Sequence, residues 1–402
     1  MATIAVIGTF DSKGEEHKFI AEKIRQRGQQ TLLIDVGTGA PASIVPDITR
    51  EQVAAAAGLD LAPLLARKDR GECVTAMGNA AAILLARLAA ENAIQGVISL
   101  GGGGGTALAT TAMRALPLGL PKLMVSALAA GNTAAYLGTK DIVMMPSIAD
   151  VAGLNRLSRT LFSQAAGAIC GMVECEVNVG ESRPLIVASM FGNTTACVTK
   201  AKEVLEQAGY EVLIFAATGA GGRIMESLIE SGMVTAVLDL TTTELADEAV
   251  GGIMGAGPHR LEAAATANIP VVIAPGCIDM INFGEPDTIP HKFANRKFYR
   301  HNPQITLMRT SADECSKIGE IMAEKINLWT APSALMFPRL GLSALGSPGQ
   351  EFNDPIADDA LFTALSSHVK IPVQSYDLEI NDPQFAVACA EKLLELIALS
   401  KS

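Results

Sequence analysis

The chain has 402 residues, enough for two or three domains that each build a core. Its net charge of −11 argues against a nucleic-acid surface, which needs clustered Lys and Arg, and its apolar runs are broken by glycine or charge short of a membrane span. Aromatic residues make up only 4%, so Ala, Val, Ile and Leu must fill the interior, which suits buried parallel strands covered by helices.

The first half alternates strand and helix. Residues 3–8 form a strand and 15–27 a helix closed by Gly28. The N-terminal segment lacks a basic region before its apolar run, so it reads as this strand and not as a signal peptide. A second strand spans 31–36. Thr49, with Gln52 three residues on, is a capping-box start for a short helix. A long Ala-rich helix covers 71–92. The apolar run Val97-Ile98-Ser99-Leu100 is the next strand, followed by five glycines, Gly101 to Gly105, and a helix over 106–115. Further strands fall at 122–127 and 142–145. A helix over 154–173 places Leu154, Leu157, Leu161, Ala165 and Ile169 near helical period.

The polar residues 174–183 set a domain boundary, with one unit over 1–178 and a second over 184–402. Strands then fall at 184–191, 212–217, 236–240, 271–274 and 305–309, and helices at 195–207, 222–231, 355–366 and 383–399. Ser311 and Glu314 cap a helix running to Asn327, and Asp382 with Pro383 opens the last one. Residues 277–304 read as one long irregular stretch, of the kind that tends to be functional. The fold class is α/β: two doubly wound domains with mainly parallel sheets and a cleft between them, ligands lying past the carboxyl ends of the strands. Gly-Asn-Thr-x-Ala occurs at 131–135 and again at 192–196, each time after a strand. Duplication and chance both account for it.

The glycine run carries the chemistry most directly. Five glycines are costly to order, and a plain turn does not need them. Between a strand and a helix they let a phosphate approach the unpaired amides of the helix start. Gly102, Gly103, Gly104, Gly105 and Thr106 are therefore candidate phosphate contacts. The run matches neither common fingerprint. No Gly-Lys pair exists for a P-loop, and a dinucleotide motif wants glycine where Thr106 stands.

Other segments also follow strands. Lys13 can face a phosphate, while the carboxylates of Asp11 and Glu16 suit a ribose or a hydrated Mg2+; a helix cap with a solvated first turn is the alternative. Arg156 and Arg159 near a helix start oppose the macrodipole, as an anionic partner or a surface ion pair would explain. In the second half, Arg223 sits at a glycine-rich helix start, and Glu244, Asp247 and Glu248 follow three threonines. A basic island over 291–302, with Arg296, Arg300 and His301, suits either an anionic substrate or a subunit interface. Cys277 is a nucleophile with His291 or His301 as base, or a buried inert thiol. The seven cysteines form no zinc pattern and no Cys-x-x-Cys pair, so no protein metal site is expected and reduced thiols in a cytoplasm fit best.

Several of these segments together resemble one family in the same order. They are Ile7-Gly8-Thr9-Phe10-Asp11-Ser12-Lys13, the glycine run, Gly131-Asn132-Thr133, the stretch from Asp150 to Arg159, Leu238 to Glu248, and Asn302 to Thr310. The family is the uncharacterised bacterial and fungal one related to the N-terminal ATP-binding domain of the tomato tobamovirus-resistance protein. The resemblance implies two Rossmann-like domains, ATP bound mainly by the first, and a homodimer. It marks Asp11, Lys13, the turn from Gly102 to Thr106, Gly131, Asn132, Thr133, Asp150, Asn155 and Ser158 as nucleotide contacts. Gly103 stands where many relatives carry serine, which removes a hydroxyl. The plant protein continues into a barrel domain resembling phosphoenolpyruvate hydrolases; the corresponding partner here would be a separate protein. Antiviral activity does not transfer with a fold.

Two functional classes remain from these residues. One is a cytoplasmic ATP-dependent enzyme, by phosphoryl or adenylyl transfer with Mg2+, acting on a small carboxylic or phosphorylated metabolite. Its catalytic candidates are Glu244, Asp247, Arg296 and His301, and its substrate contacts Arg223, Cys277, Asp279 and Arg300. The other is a non-catalytic, nucleotide-responsive module that engages a partner protein. A nicotinamide oxidoreductase is disfavoured by the missing third glycine and ribose acid.

Overall fold

The computed structural model describes residues 1–176 and 183–401. The chain divides into two compact units, Met1–Asn178 and Val179–Ser402. Most of the polar boundary segment read at 174–183 lies outside the described residues.

The first unit runs β1 (Thr3–Gly8), α1 (Phe10–Arg25), β2 (Gln30–Asp35), α2 (Arg50–Ala56), α3 (Leu61–Ala66), α4 (Arg70–Ala90), β3 (Gly96–Gly101), α5 (Gly103–Arg114), β4 (Lys122–Ser126), α6 (Ala134–Leu137), β5 (Val143–Pro146) and α7 (Arg156–Glu174). Its five strands are all parallel, in the order β2-β1-β3-β4-β5. Alternation along β1 feeds two cores. Ala5 and Ile7 pack with residues of α4 and α5, whereas Ile4 and Val6 pack with residues of α1 and α7. Helices therefore cover both faces, which is the doubly wound arrangement. The expectation that no apolar run reaches the length of a membrane span needs correction. By length and composition α4 does, and its buried face, including Met77, Ala81 and Leu85, packs in the core.

The second unit continues with β6 (Leu185–Met190), α8 (Thr195–Gln207), β7 (Glu211–Ala216), α9 (Ala220–Glu230), β8 (Val234–Thr241), α10 (Thr243–Val250), α11 (Ala263–Ala267), β9 (Val271–Gly276), β10 (Met280–Phe283), β11 (Phe298–Asn302), β12 (Ile305–Arg309), α12 (Ala312–Ile326), β13 (Ser333–Pro338), α13 (Pro355–His368), β14 (Val373–Tyr376) and α14 (Pro383–Ser400). Six strands form a parallel sheet in the order β14-β13-β9-β8-β6-β7. Read from its first strand, this is the order of the first unit with one strand added at the far edge. Ile186, Ala188, Leu238 and Val272 pack with residues of α8 and α14.

The stretch 277–304, expected to be irregular, contains β10 and β11, which pair with β12 in a three-stranded antiparallel sheet. The polar run of β11 hides its strand character, because its outer side faces solvent. The Gly-Asn-Thr-x-Ala repeat also needs correction. One copy follows the fourth strand of its unit and the other the first strand of its own, so the two are not equivalent by position.

Candidate functional site

Strand order in the first unit reverses at β1, since β2 lies on one side of it and β3 on the other. Outside the carboxyl ends of such a pair the following connections part and leave a crevice. A cavity of about 630 Å3 lies there, walled by the β1–α1 turn, the β2 loop, the glycine run and the start of α4.

Two buried residues fix this edge. Asp35, at the end of β2, accepts the amides of Phe10 (3.0 Å) and Gly37 (2.9 Å), and burial raises its pKa. The start of α1 is thus capped by the protein's own carboxylate. His17 is fully buried. Its Nε2 accepts the Leu100 amide at 3.3 Å, and its Nδ1 lies 2.7 Å from the Lys13 carbonyl, which fixes a neutral ring that donates from Nδ1. Burial pushes its pKa down to about 4. Gly8 makes room for that ring, since a Cβ there would lie 2.0 Å from His17 Nε2.

Gly102 is the N-cap of α5, so Gly103, Gly104 and Gly105 lie inside the helix, earlier than the expected start at 106. None of the five glycines has a positive φ. Packing demands only Gly101, where a Cβ would stand 3.0 Å from the Gly105 backbone. A Cβ on Gly102, Gly103, Gly104 or Gly105 would meet nothing nearer than 3.3 Å. Neither backbone conformation nor crowding therefore explains these four. They leave a bare helix start facing the cavity, its first amides without intrahelical acceptors and without a side-chain cap.

Charged side chains line this space. Lys13, in a non-helical kink of α1, donates to the Val151 carbonyl. Asp11 Oδ2 accepts the Gly39 amide at 2.7 Å, while its Oδ1 is buried without a partner among the described residues. Asp150 Oδ1 would lie 3.4 Å from a Cβ on Gly102. Lys68 and Arg70 were not legible as site residues, because they stand far upstream of the glycine run. Arg70 Nη2 would lie 3.3 Å from a Cβ on Gly104, and neither cation's side chain has a partner among the described residues.

Other candidates fall elsewhere. Thr106 is buried, with its hydroxyl 2.7 Å from that of Ser126, so it faces the sheet and not the cavity. Gly131, Asn132 and Thr133 lie in the loop after β4 outside the cavity lining; Asn132 accepts the Ala134 amide. Asn155 and Ser158 form the reciprocal capping box of α7. Glu16 is buried and accepts the Gly153 amide at 2.6 Å. The proposed ligand roles of Asn155, Ser158 and Glu16 give way to these structural ones.

In the second unit most candidates are consumed internally. Glu244 is buried, accepts the amides of Gly219 (2.7 Å) and Gly222 (3.0 Å), and pairs with Arg260 at 2.8 Å. Arg260 is itself buried and also pairs with Asp239 and Glu226. Asp247 accepts the Met254 and Asn282 amides and the Asn282 side chain, and burial pushes its carboxyl up to about 7. Arg296 is paired with Glu314 at 2.6 Å. Cys277 is fully buried, and burial raises its thiol well above the usual range, which disfavours a thiolate nucleophile. Asp279 is buried and accepts the Ser343 hydroxyl at 2.6 Å. Arg223 is exposed and donates to the Gly255 carbonyl. Arg300 and His301 are exposed on β11, an edge strand with a bulge between Arg300 and Asn302. Charges and a bulge protect an edge from stray pairing, a role the island's two earlier readings did not include.

Residues 2–178 match the uncharacterised protein family (UPF0261) N-terminal domain, and residues 183–397 its C-terminal domain. A UPF0261 protein of Clostridium tetani is 47% identical over 98% of this chain and 98% of that one. The ToMV resistance protein Tm-1(GCR237) of Solanum lycopersicum is 36% identical over 98% of this chain, which spans 56% of the tomato protein. Among solved structures, an S. aureus MnaA–UDP co-structure aligns over 68% of this chain and 79% of that one, at 10% identity and a TM-score of 0.25, too low to carry an argument. The chain belongs to the UPF0261 family and is related along its length to the tomato Tm-1 proteins.

Proposed function

We propose that the first unit is a nucleotide-binding module whose ligand is ATP, with phosphates seated on the amides of Gly103, Gly104 and Gly105. The observation that carries this reading is the bare start of α5, opening into a cavity also lined by Lys68 and Arg70, whose side chains have no partner among the described residues. Oriented amides and the helix dipole favour an anion there. A cavity of about 630 Å3 lies within the range of small-molecule sites. The family resemblance carried by Asp11, Lys13 and the glycine run supports ATP in particular.

Mg2+ fits the same site. Among the described residues no three metal-ligating side chains converge, but Mg2+ is commonly held by one or two carboxylates together with substrate phosphates. Asp150, beside Gly102, is the carboxylate that would hold it, and the ion would neutralise phosphate charge.

A nucleotide-responsive module is favoured over an ATP-dependent enzyme by one observation. Glu244, Asp247 and Asp279, proposed as catalytic or substrate groups, are buried and bonded within the protein. Titration calorimetry of the full chain with Mg-ATP tests the binding. Saturable heat is expected for the wild type, and at least a tenfold loss for Gly104→Val at unchanged melting temperature. Undiminished affinity in a folded Gly104→Val protein overturns the assignment.

A further inference from the structure

We infer that the ligand lies across the first unit's cavity in one direction, its sugar diol on Asp11 and its phosphate tail clamped between the α5 amides and Lys68 with Arg70. This rests on the nucleotide reading. It adds an orientation, a pair of recognition groups at each end, and a ligand class, namely nucleoside polyphosphates with a free 2′,3′-diol.

Asp11 meets the loop after β2, on one side of β1, and Arg70 meets the start of α5 after β3, on the other side, so a carboxylate and a cation line the cavity towards different strands. On the β2 side the Asp11 carboxylate is held by the Gly39 amide through Oδ2, which leaves Oδ1 buried and unpartnered among the described residues. Gly37 and Gly39 make room for it, since a Cβ on either would come within 2.9 Å of the carboxylate. A carboxylate held this way needs a donor. A phosphate tail offers only acceptors and negative charge near neutral pH, so it is repelled, whereas a ribose hydroxyl donates. On the β3 side Arg70 is the first residue of α4, where a cation opposes the helix dipole. Lys68 stands two residues before it with φ +54, a backbone conformation uncommon outside glycine. Asp69 between them caps α4 by accepting the Glu72 amide at 2.9 Å, which fixes the segment. An unfavourable helix position holds Arg70 beside Gly104, and an unusual backbone holds Lys68 on the wall of the same cavity, both without a side-chain partner among the described residues. A polyphosphate is the anion that reaches both the amides and the cations, and an Arg fork suits it.

The test titrates the full chain, in Mg2+ buffer, with ATP, AMP, 2′,3′-dideoxy-ATP and inorganic tripolyphosphate. The wild type should bind ATP at least tenfold more tightly than either AMP or dideoxy-ATP, a result that needs no variant. Asp11→Asn should lose about tenfold for ATP, keep tripolyphosphate within twofold, and no longer separate ATP from dideoxy-ATP. Arg70→Gln should lose at least tenfold for ATP and tripolyphosphate while AMP changes less than threefold. Equal losses of ATP and tripolyphosphate in Asp11→Asn, or of ATP and AMP in Arg70→Gln, overturn the orientation and leave nucleotide binding standing. No binding of ATP or tripolyphosphate by the wild type overturns both readings.

Discussion

In the first unit the edge formed by β1 and β3 opens into a cavity lined by bare amides and by Lys68 and Arg70, cations without a side-chain partner among the described residues. In the second unit the edge beyond β6 and β8 is occupied by the chain itself. Asn193, after β6, and Thr243, after β8, both contact Met280 of β10, and Asn282 of the same strand holds Asp247. The glycine-rich start of α9 also has its anion already, because Glu244 receives the amides of Gly219 and Gly222. One strand order therefore supports two uses of the same helix-end electrostatics. An internal carboxylate locks one helix start, and the other stands without a side-chain cap.

The largest effect expected from this contrast comes from removing the centre of the filled site. Arg260→Met strands three carboxylates, Asp239, Glu226 and Glu244, and is expected to cost about 3–5 kcal/mol. Denaturant unfolding with a probe in the second unit measures it; a loss below about 1 kcal/mol would show that the cluster is not what holds the site closed. Next come opposite responses to pH. His17 is held neutral, with its pKa lowered from 6.5 to about 4, so the unfolded chain binds more protons in that window. The first unit should lose about 3 kcal/mol from this group as pH falls from 6.5 through 4. Asp247 is shifted the other way, from 3.8 to about 7, so its contribution is present at low pH and lost as pH rises through 7. Hydrogen exchange followed separately in β3 and in β10 should show slopes of opposite sign, and parallel slopes would break the comparison. The smallest effect compares glycines. Gly222→Ala places a Cβ 2.1 Å from Glu244 Oε2 and should cost about 1–3 kcal/mol, while Gly104→Ala should be neutral or slightly stabilising. Thermal melts of the two variants check this.

Local signals in the sequence account for much of the fold. The Thr49–Gln52 and Ser311–Glu314 capping boxes and the Asp382–Pro383 helix start all stand where side-chain pattern places them. The glycine run was legible because its composition is expensive for a plain turn. What stayed hidden depends on contacts between distant segments. Glu244 looks reactive in its Thr-Thr-Thr-Glu string, but the Arg260 that neutralises it and the Gly219 amide that binds it lie outside that string. Lys68 and Arg70 carry no local mark of a site and join the glycine run in one cavity only through the fold, at the turn before α4 and at its first residue. The strand β11 escaped notice because an edge strand with one wet side lacks the apolar alternation of a buried one.

The uncapped first turn of α5 bears on stability, and on how the proposed anion would change it. Glycine in a helix lowers stability by about 0.5–1 kcal/mol per residue relative to alanine, and Gly103, Gly104 and Gly105 stand together in that turn. A bound anion would serve as the missing cap, so occupancy and local rigidity rise together. The melting temperature of the first unit should then climb with ligand concentration, making heat resistance a readout of saturation.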